Sequence, residues 1–182
     1  MERPRVVMMA AASRNRVLAV GGRIPWHLPR DVAHFRARAA GRWLLLGRGT
    51  YEQMEGWFRP GQVPLVLTRQ KGYKVPEGHA VGSVEEALAR AAAARVSEVL
   101  VCGGGQVYEA ALPMADEVIL TTVDCEIAGE VLFPELGEEE WQRGETTVFP
   151  ADAAHAWGMS IATYCRKAPP VAGKLGEPGK ES

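Results

Sequence analysis

The sequence predicts an α/β fold in three layers, with a mostly parallel central sheet, an antiparallel C-terminal strand and short flanking helices. Three observations carry this reading. Apolar runs of strand length recur at residues 5–12, 43–46, 63–68, 98–102 and 117–124, the pattern of strands covered on both faces. Helical stretches alternate with them, as crossover connections between parallel strands require. The last two strands, 140–149 and 159–166, are joined by a polar loop instead of a helix, so this pair is expected to be antiparallel.

Taken in order, the run 5–12 opens the sheet, and the polar stretch 13–22, ending in Gly21-Gly22, reads as a mobile loop. A helix over 29–40 starts at Pro29, whose fixed φ suits a first turn, and stops at Gly41. The strand 43–46 leads through Gly47-Arg48-Gly49-Thr50 into a short helix over 50–54. Strands follow at 63–68 and 80–82, and Ser83-Val84-Glu85-Glu86 is a capping box that opens a helix through residue 94. After the strand 98–102, Gly103-Gly104-Gly105 precedes a helix over 106–112 that Pro113 ends. No internal repeat is present. The tail from Ala168 is rich in Pro, Gly and charge and is expected not to pack, leaving residues 1–167 as a single domain.

Composition narrows the partners. The 182 residues can bury one sizeable core. A formal net charge of −1, with scattered basic residues, gives no field to attract nucleic acid or an anionic membrane. Cys102, Cys125 and Cys165 are widely spaced and odd in number, which excludes a disulfide framework or zinc site and favours a reducing compartment. Each is expected to be a buried strand residue. The N-terminal MERPRVVMMAAAS has basic residues before an apolar run, but the run is too short to span a membrane and reads better as a first strand. A cytoplasmic monomer acting on small molecules, with no metal site, is the expectation.

One stretch carries the chemistry. IPWHLPRDVAHF, residues 24–35, sets the single carboxylate of Asp31 among Ile24, Trp26, Leu28, Val32 and Phe35. Asp31 and Phe35 are four apart on the predicted helix and share a face. A carboxylate on an apolar wall beside an aromatic ring suits a flat heterocycle that needs two hydrogen bonds. The same residues also fit an ordinary helix with an acidic first turn, which the helix dipole favours. A second constellation is anion-binding. The strand, glycine cluster and helix around Gly103-Gly104-Gly105 offer free N–H groups, as does the helix start at Arg48 and Thr50. Arg69 and Lys71 follow the third strand, and cations converging there suit a 2′-phosphate, hence NADPH over NADH. The glycines are not a Rossmann fingerprint, because Tyr108 stands where the third glycine would be. Counting onward by that rule nominates Asp124 for the ribose, but the rule belongs to another fold.

IPWHLPRDVAHF resembles the substrate motif of dihydrofolate reductases, and matching segments recur in order through Phe133-Pro134 and the C-terminal strands, over roughly the first 166 residues. The resemblance implies NADPH-dependent reduction of 7,8-dihydrofolate, with the hydride passing from nicotinamide C4 to pteridine C6. It implies that Asp31 grips the pteridine at N3 and the 2-amino group, that Thr121 hydrogen-bonds this carboxylate, and that Trp26 helps hold an ordered water. By the same resemblance, Met9, Ala10, Val32, Phe35, Met54, Cys102 and Tyr108 join Asp31 around the substrate. The cofactor is assigned to Ala11, Leu18, Ile24, Gly47, Arg48, Gly49, Thr50, Thr68, Arg69, Gly103, Gly104, Gly105, Gln106, Val107 and Tyr108.

The chain departs from the family pattern at Gln62, where Pro-Gly-Arg is usual and the arginine pairs with the α-carboxylate of the folate glutamate. Arg36, Arg38 and Arg59 are candidates to compensate. Ala19 and Glu130 replace a usual glycine and a common aspartate near the loop 13–22. Gln62 keeps a rival open: a reductase of the same fold acting on a pterin without a glutamate tail, or on the ribosylaminopyrimidine of riboflavin synthesis. A rival of another class is a non-catalytic nucleotide-binding module.

Overall fold

The computed structural model describes residues 3–168. Its elements are β1 (Arg5–Ser13), β2 (Val17–Ala19), α1 (Pro29–Ala39), β3 (Trp43–Gly47), α2 (Arg48–Gln53), β4 (Val63–Leu67), β5 (His79–Val81), α3 (Val84–Ala93), β6 (Glu98–Gly103), α4 (Gly105–Ala111), β7 (Glu117–Val123), β8 (Val131–Leu132), β9 (Trp141–Phe149) and β10 (Met159–Arg166), with a 3-10 turn at Leu112–Met114. The main sheet has the order β5-β4-β3-β6-β1-β7-β10-β9. Every neighbour from β5 to β7 is parallel, and β10 runs antiparallel to both β7 and β9. The expected tail from Ala168 lies, beyond that residue, outside the described residues.

Alternation along β1 divides the core. Val6, Met8, Ala10 and Ala12 pack beneath α3 and α4, with Leu88, Val107 and Tyr108. Val7 and Met9 face the opposite layer, with Leu44, Leu46 and Leu100, under Phe35 of α1 and Tyr51 of α2. Both faces of β1 are therefore buried, which is why it reads as one unbroken apolar run. Ser83 caps α3 by accepting from the Glu86 amide at 3.1 Å, as the capping box predicts.

Three expectations need correction. The stretch 13–22 is not loop throughout, since β2 lies within it and pairs with the unanticipated β8. Leu18 is buried, Gly22 N donates to the Glu130 carboxylate at 3.1 Å, and Gln53 Nε2 donates to Gly22 O at the same distance. Two- and three-residue strands have no readable periodicity, and only the chain's return after β7 creates their pairing. Ala19 sits in this strand without positive φ, so the absent glycine costs nothing there. Second, α2 begins at Arg48, two residues earlier than expected. Third, Cys165 is exposed on β10 and Cys125 is buried just beyond the end of β7, so only Cys102 is a part-buried strand residue.

Candidate active site

Pro29 places Asp31 in the first turn of α1, and the turn lies against β7. Thr121, 1% exposed in the middle of β7, donates its hydroxyl to Asp31 Oδ1 at 2.6 Å. Strand register sets this contact, for Thr121 is paired with Ala11 on one side and Ile161 on the other. Burial raises the Asp31 pKa above the usual carboxylate value, while the Thr121 hydrogen bond and the charge of His34 pull it down. Burial outweighs both of these opposing influences.

The apolar wall forms only in part from the motif: Phe35 belongs to it, whereas Ile24 is exposed and Trp26 and Leu28 pack in a separate cluster with Val123 and Met159. Phe35, Met54 and Cys102 pack on the cluster that contains Met9, and Val32 is half-exposed at the rim. Trp57 stacks on Phe35 with centroids 5.1 Å apart, and Phe58 meets Trp57 edge-on at 5.7 Å. Neither Trp57 nor Phe58 was anticipated; the aromatic density of Tyr51, Trp57 and Phe58 is the signal that was available. Ala10 points its side chain to the other layer, so only its backbone is on offer to a ligand at this face. Tyr108 is buried, donates its hydroxyl to the Met9 carbonyl at 2.6 Å and packs edge-on against Phe133. Burial holds both the Tyr108 hydroxyl and the Cys102 thiol well above their ordinary pKa, so neither is ionised at neutral pH.

Gln62 has become a structural residue. It is 7% exposed; its Nε2 donates to Ala39 O at 2.9 Å and its Oε1 accepts from Arg59 N at 2.8 Å. Together these tie the end of α1 to the turn before β4. Beside it Arg36, Trp57 and Arg59 line a small cavity of about 140 Å³. Arg38 faces elsewhere, in an ion pair with Glu98 at 2.8 Å.

The second site is a groove of about 690 Å³ across the ends of β3, β4 and β6. It brings together Gly47, Arg48, Gly49, Thr50, Thr68, Arg69, Gly104, Gly105, Gln106 and Val107, all assigned from sequence, and adds Leu67, Gln70, Gly82 and Val131. Five glycines line it, and at two of them a side chain would be crowded. A Cβ on Gly105 would stand 2.6 Å from Val131 Cγ1, and one on Gly47 would stand 3.2 Å from Val107 Cγ2. Gly103 has φ +108, and a Cβ there would meet the Tyr108 ring at 3.1 Å; the Gly103–Gly104 peptide is cis. Bare backbone beside two arginines fits a dinucleotide with a phosphate tail. Arg48 is oriented by Gln70, to which it donates at 2.5 Å, and Glu52 lies 3.7 Å away.

Residues 5–166 match the family model described as dihydrofolate reductase. The chain belongs to the dihydrofolate reductase family. Relatives of that name include the enzyme of Mycobacterium tuberculosis, 40% identical over 78% of this chain and 86% of its own length, and that of Neisseria gonorrhoeae, 34% identical over 79% and 87%. Dihydrofolate reductase HdrB of Haloferax volcanii is 37% identical over 97% of this chain and 91% of its own. Among solved structures, dihydrofolate reductase from Enterococcus faecalis, complexed with NADP(H) and RAB-propyl, superposes with a TM-score of 0.80. That match has 28% identity and covers 90% of this chain and 97% of the other. Members of the family are NADPH-dependent oxidoreductases, and the groove's donor set fits that cofactor.

Some residues assigned or nominated from the sequence lie outside the cofactor groove. Asp124, nominated by the dinucleotide count, pairs instead with Arg14 at 2.6 Å. Ala11, Leu18, Ile24, Gly103 and Tyr108 do not line the groove: Ala11 stands beside Thr121 in the sheet, Leu18 and Tyr108 are buried in the core, and Ile24 is 68% exposed beyond the β2 turn. Trp26 packs with Leu28, Val123 and Met159 near the start of α1. No three His, Cys, Asp or Glu side chains converge as a metal site among the described residues.

Proposed function

We propose that the cleft beneath α1 reduces 7,8-dihydrofolate to 5,6,7,8-tetrahydrofolate, with Asp31 as the group that grips and polarises the pteridine. The observation that carries this is the part-buried Asp31–Thr121 pair at 2.6 Å on an apolar wall, in a molecule that also carries a glycine-lined groove. Bound NADPH supplies the hydride to pteridine C6. The chain's own residues orient and exclude. Asp31, ionised, accepts from N3–H and the 2-amino group, and Thr121 holds the carboxylate oxygen that faces β7. Phe35, stiffened by Trp57, packs on the ring. Arg48 and Arg69 take the 2′-phosphate, and Gly103 to Gly105 admit the nicotinamide and pyrophosphate. The proton reaches N5 from a water that Trp26 helps to hold. Free thiols at Cys102, Cys125 and Cys165 support a cytoplasmic site of action; the near-neutral net charge of −1 with scattered basic residues supports small-molecule partners over nucleic acid, and no helix among the described residues is long and apolar enough to cross a membrane.

A second reading is favoured by one observation: Gln62 is engaged internally and offers no cation to a glutamate tail, so the substrate would be a short pterin. Steady-state oxidation of NADPH separates the two. Dihydrofolate should be turned over much better than a dihydropterin without the p-aminobenzoyl-glutamate tail, and Asp31→Asn should lose most turnover while binding NADPH. Equal turnover of the short pterin would establish the second reading, and near-normal turnover by Asp31→Asn would remove Asp31 from the mechanism.

A further inference from the structure

The helix that carries Asp31 lacks a cap of its own. Its N-cap residue is Leu28, whose side chain has no acceptor, so the free amides of the first turn must be satisfied from elsewhere. One of them is. Arg30 N donates to Nε2 of His155 at 3.2 Å, across 125 positions of sequence. His155 belongs to the connection between β9 and β10, is 5% exposed, and is held on its other ring nitrogen by Asp152 Oδ1 at 2.6 Å. Backbone bonds between Asp152 and His155 in both directions close the turn, and Ala154 N adds a third contact to Asp152 Oδ1 at 2.9 Å. From α1 the Arg30 side chain reaches back, with its guanidinium 3.6 Å from Asp152 and 4.7 Å over the Phe149 ring.

We propose that His155 is a positioning residue for the reaction, acting as an N-cap supplied from the β9–β10 turn that holds the first turn of α1, and with it Asp31, against Thr121. The inference rests on the proposed role of Asp31. Its chemistry fixes the tautomer: an Nε2 that accepts from an amide carries no hydrogen, so Nδ1–H donates to Asp152. Asp152 thus orients the ring and Arg30 N receives its lone pair. The very next residue is the carboxylate, so slack in this turn is slack in the pteridine grip. The cofactor groove is built from β3, β4, β6 and the starts of α2 and α4, and it does not depend on this latch.

The test compares His155→Leu, which fills the space without an acceptor, with His155→Gln, whose Oε1 can stand where Nε2 does. His155→Leu should raise KM for dihydrofolate by about threefold to tenfold, the range expected for a lost cap, with the NADPH Kd unchanged. The acid midpoint of kcat/KM should move, because a loosened first turn alters the burial that raises the Asp31 pKa together with the Thr121 bond and the His34 charge that lower it. His155→Gln should restore KM and midpoint to within about twofold of the wild type. An unchanged KM and midpoint in a folded His155→Leu, or a folded His155→Gln that behaves like His155→Leu, overturns the proposal. Wild-type turnover of dihydrofolate is the control for the reaction itself. Should that control fail, faster amide exchange at Arg30 and Asp31 in His155→Leu, relative to β1, with His155→Gln close to wild type, still reads the latch; unaltered exchange in a folded His155→Leu, or equally fast exchange in both variants, overturns it.

Discussion

Replacing Gln62 by arginine sets affinity against stability, and both sides can be worked from the structure. The buried side chain makes two bonds, to Ala39 O at 2.9 Å and from Arg59 N at 2.8 Å. An arginine keeps a donor for the first but has no acceptor for the second, so the Arg59 amide is left without a partner. An unsatisfied group of this kind costs about 1–3 kcal/mol, which in a protein of this size lowers Tm by about 2–12 °C. In return the new guanidinium would stand beside the Arg36–Arg59 cavity, where a glutamate tail is expected. A charge-assisted bond to that carboxylate, worth about 1.5–3 kcal/mol, would lower KM for dihydrofolate by about tenfold to a hundredfold. Thermal unfolding and steady-state kinetics of Gln62→Arg check the two arms separately. An unaltered Tm would refute the structural role assigned to Gln62. An unaltered KM would show that Arg36 or Arg59 already holds the tail.

Thr121→Val removes the donor 2.6 Å from Asp31 with almost no change of shape, so the fold should be kept. The hydroxyl favours the ionised carboxylate, so its loss raises the Asp31 pKa further; the pH below which KM for dihydrofolate climbs should move upward, and an unmoved acid limb would contradict the pairing. The sign for stability is opposite to that of an ordinary surface carboxylate. A folded-state pKa raised above the unfolded value stabilises below the unfolded pKa and is lost as pH rises through the folded one, so Asp31→Asn should raise Tm at neutral pH; a lower Tm would mean that the charge supports the fold. Gly103→Ala combines φ +108 with a methyl 3.1 Å from the Tyr108 ring, whose hydroxyl is pinned to Met9, and should cost about 2–5 kcal/mol in chemical denaturation together with weaker NADPH binding. Wild-type stability and affinity would refute that close packing.

The sheet was legible because buried parallel strands have to be continuous apolar runs and the crossovers between them have to be helices with their own start and stop residues. The order of elements and the antiparallel end of the sheet follow from that alone. So does the chemistry of Asp31 among apolar neighbours, and of the glycine segments beside Arg48 and Arg69, because carboxylates, bare backbone and guanidinium groups act through what they are. Tertiary structure decided which partner each group would meet. Residues 90 apart bring Thr121 to Asp31, and residues 125 apart bring His155 to the uncapped start of α1. Gln62 looked like a missing charge, and only its burial between Ala39 and Arg59 shows that it is a tie. The pairing of β2 with β8 was invisible for the same reason. Local pattern records how a residue suits its own helix or strand, whereas contacts across the fold depend on strand register and layer packing, which no local window contains.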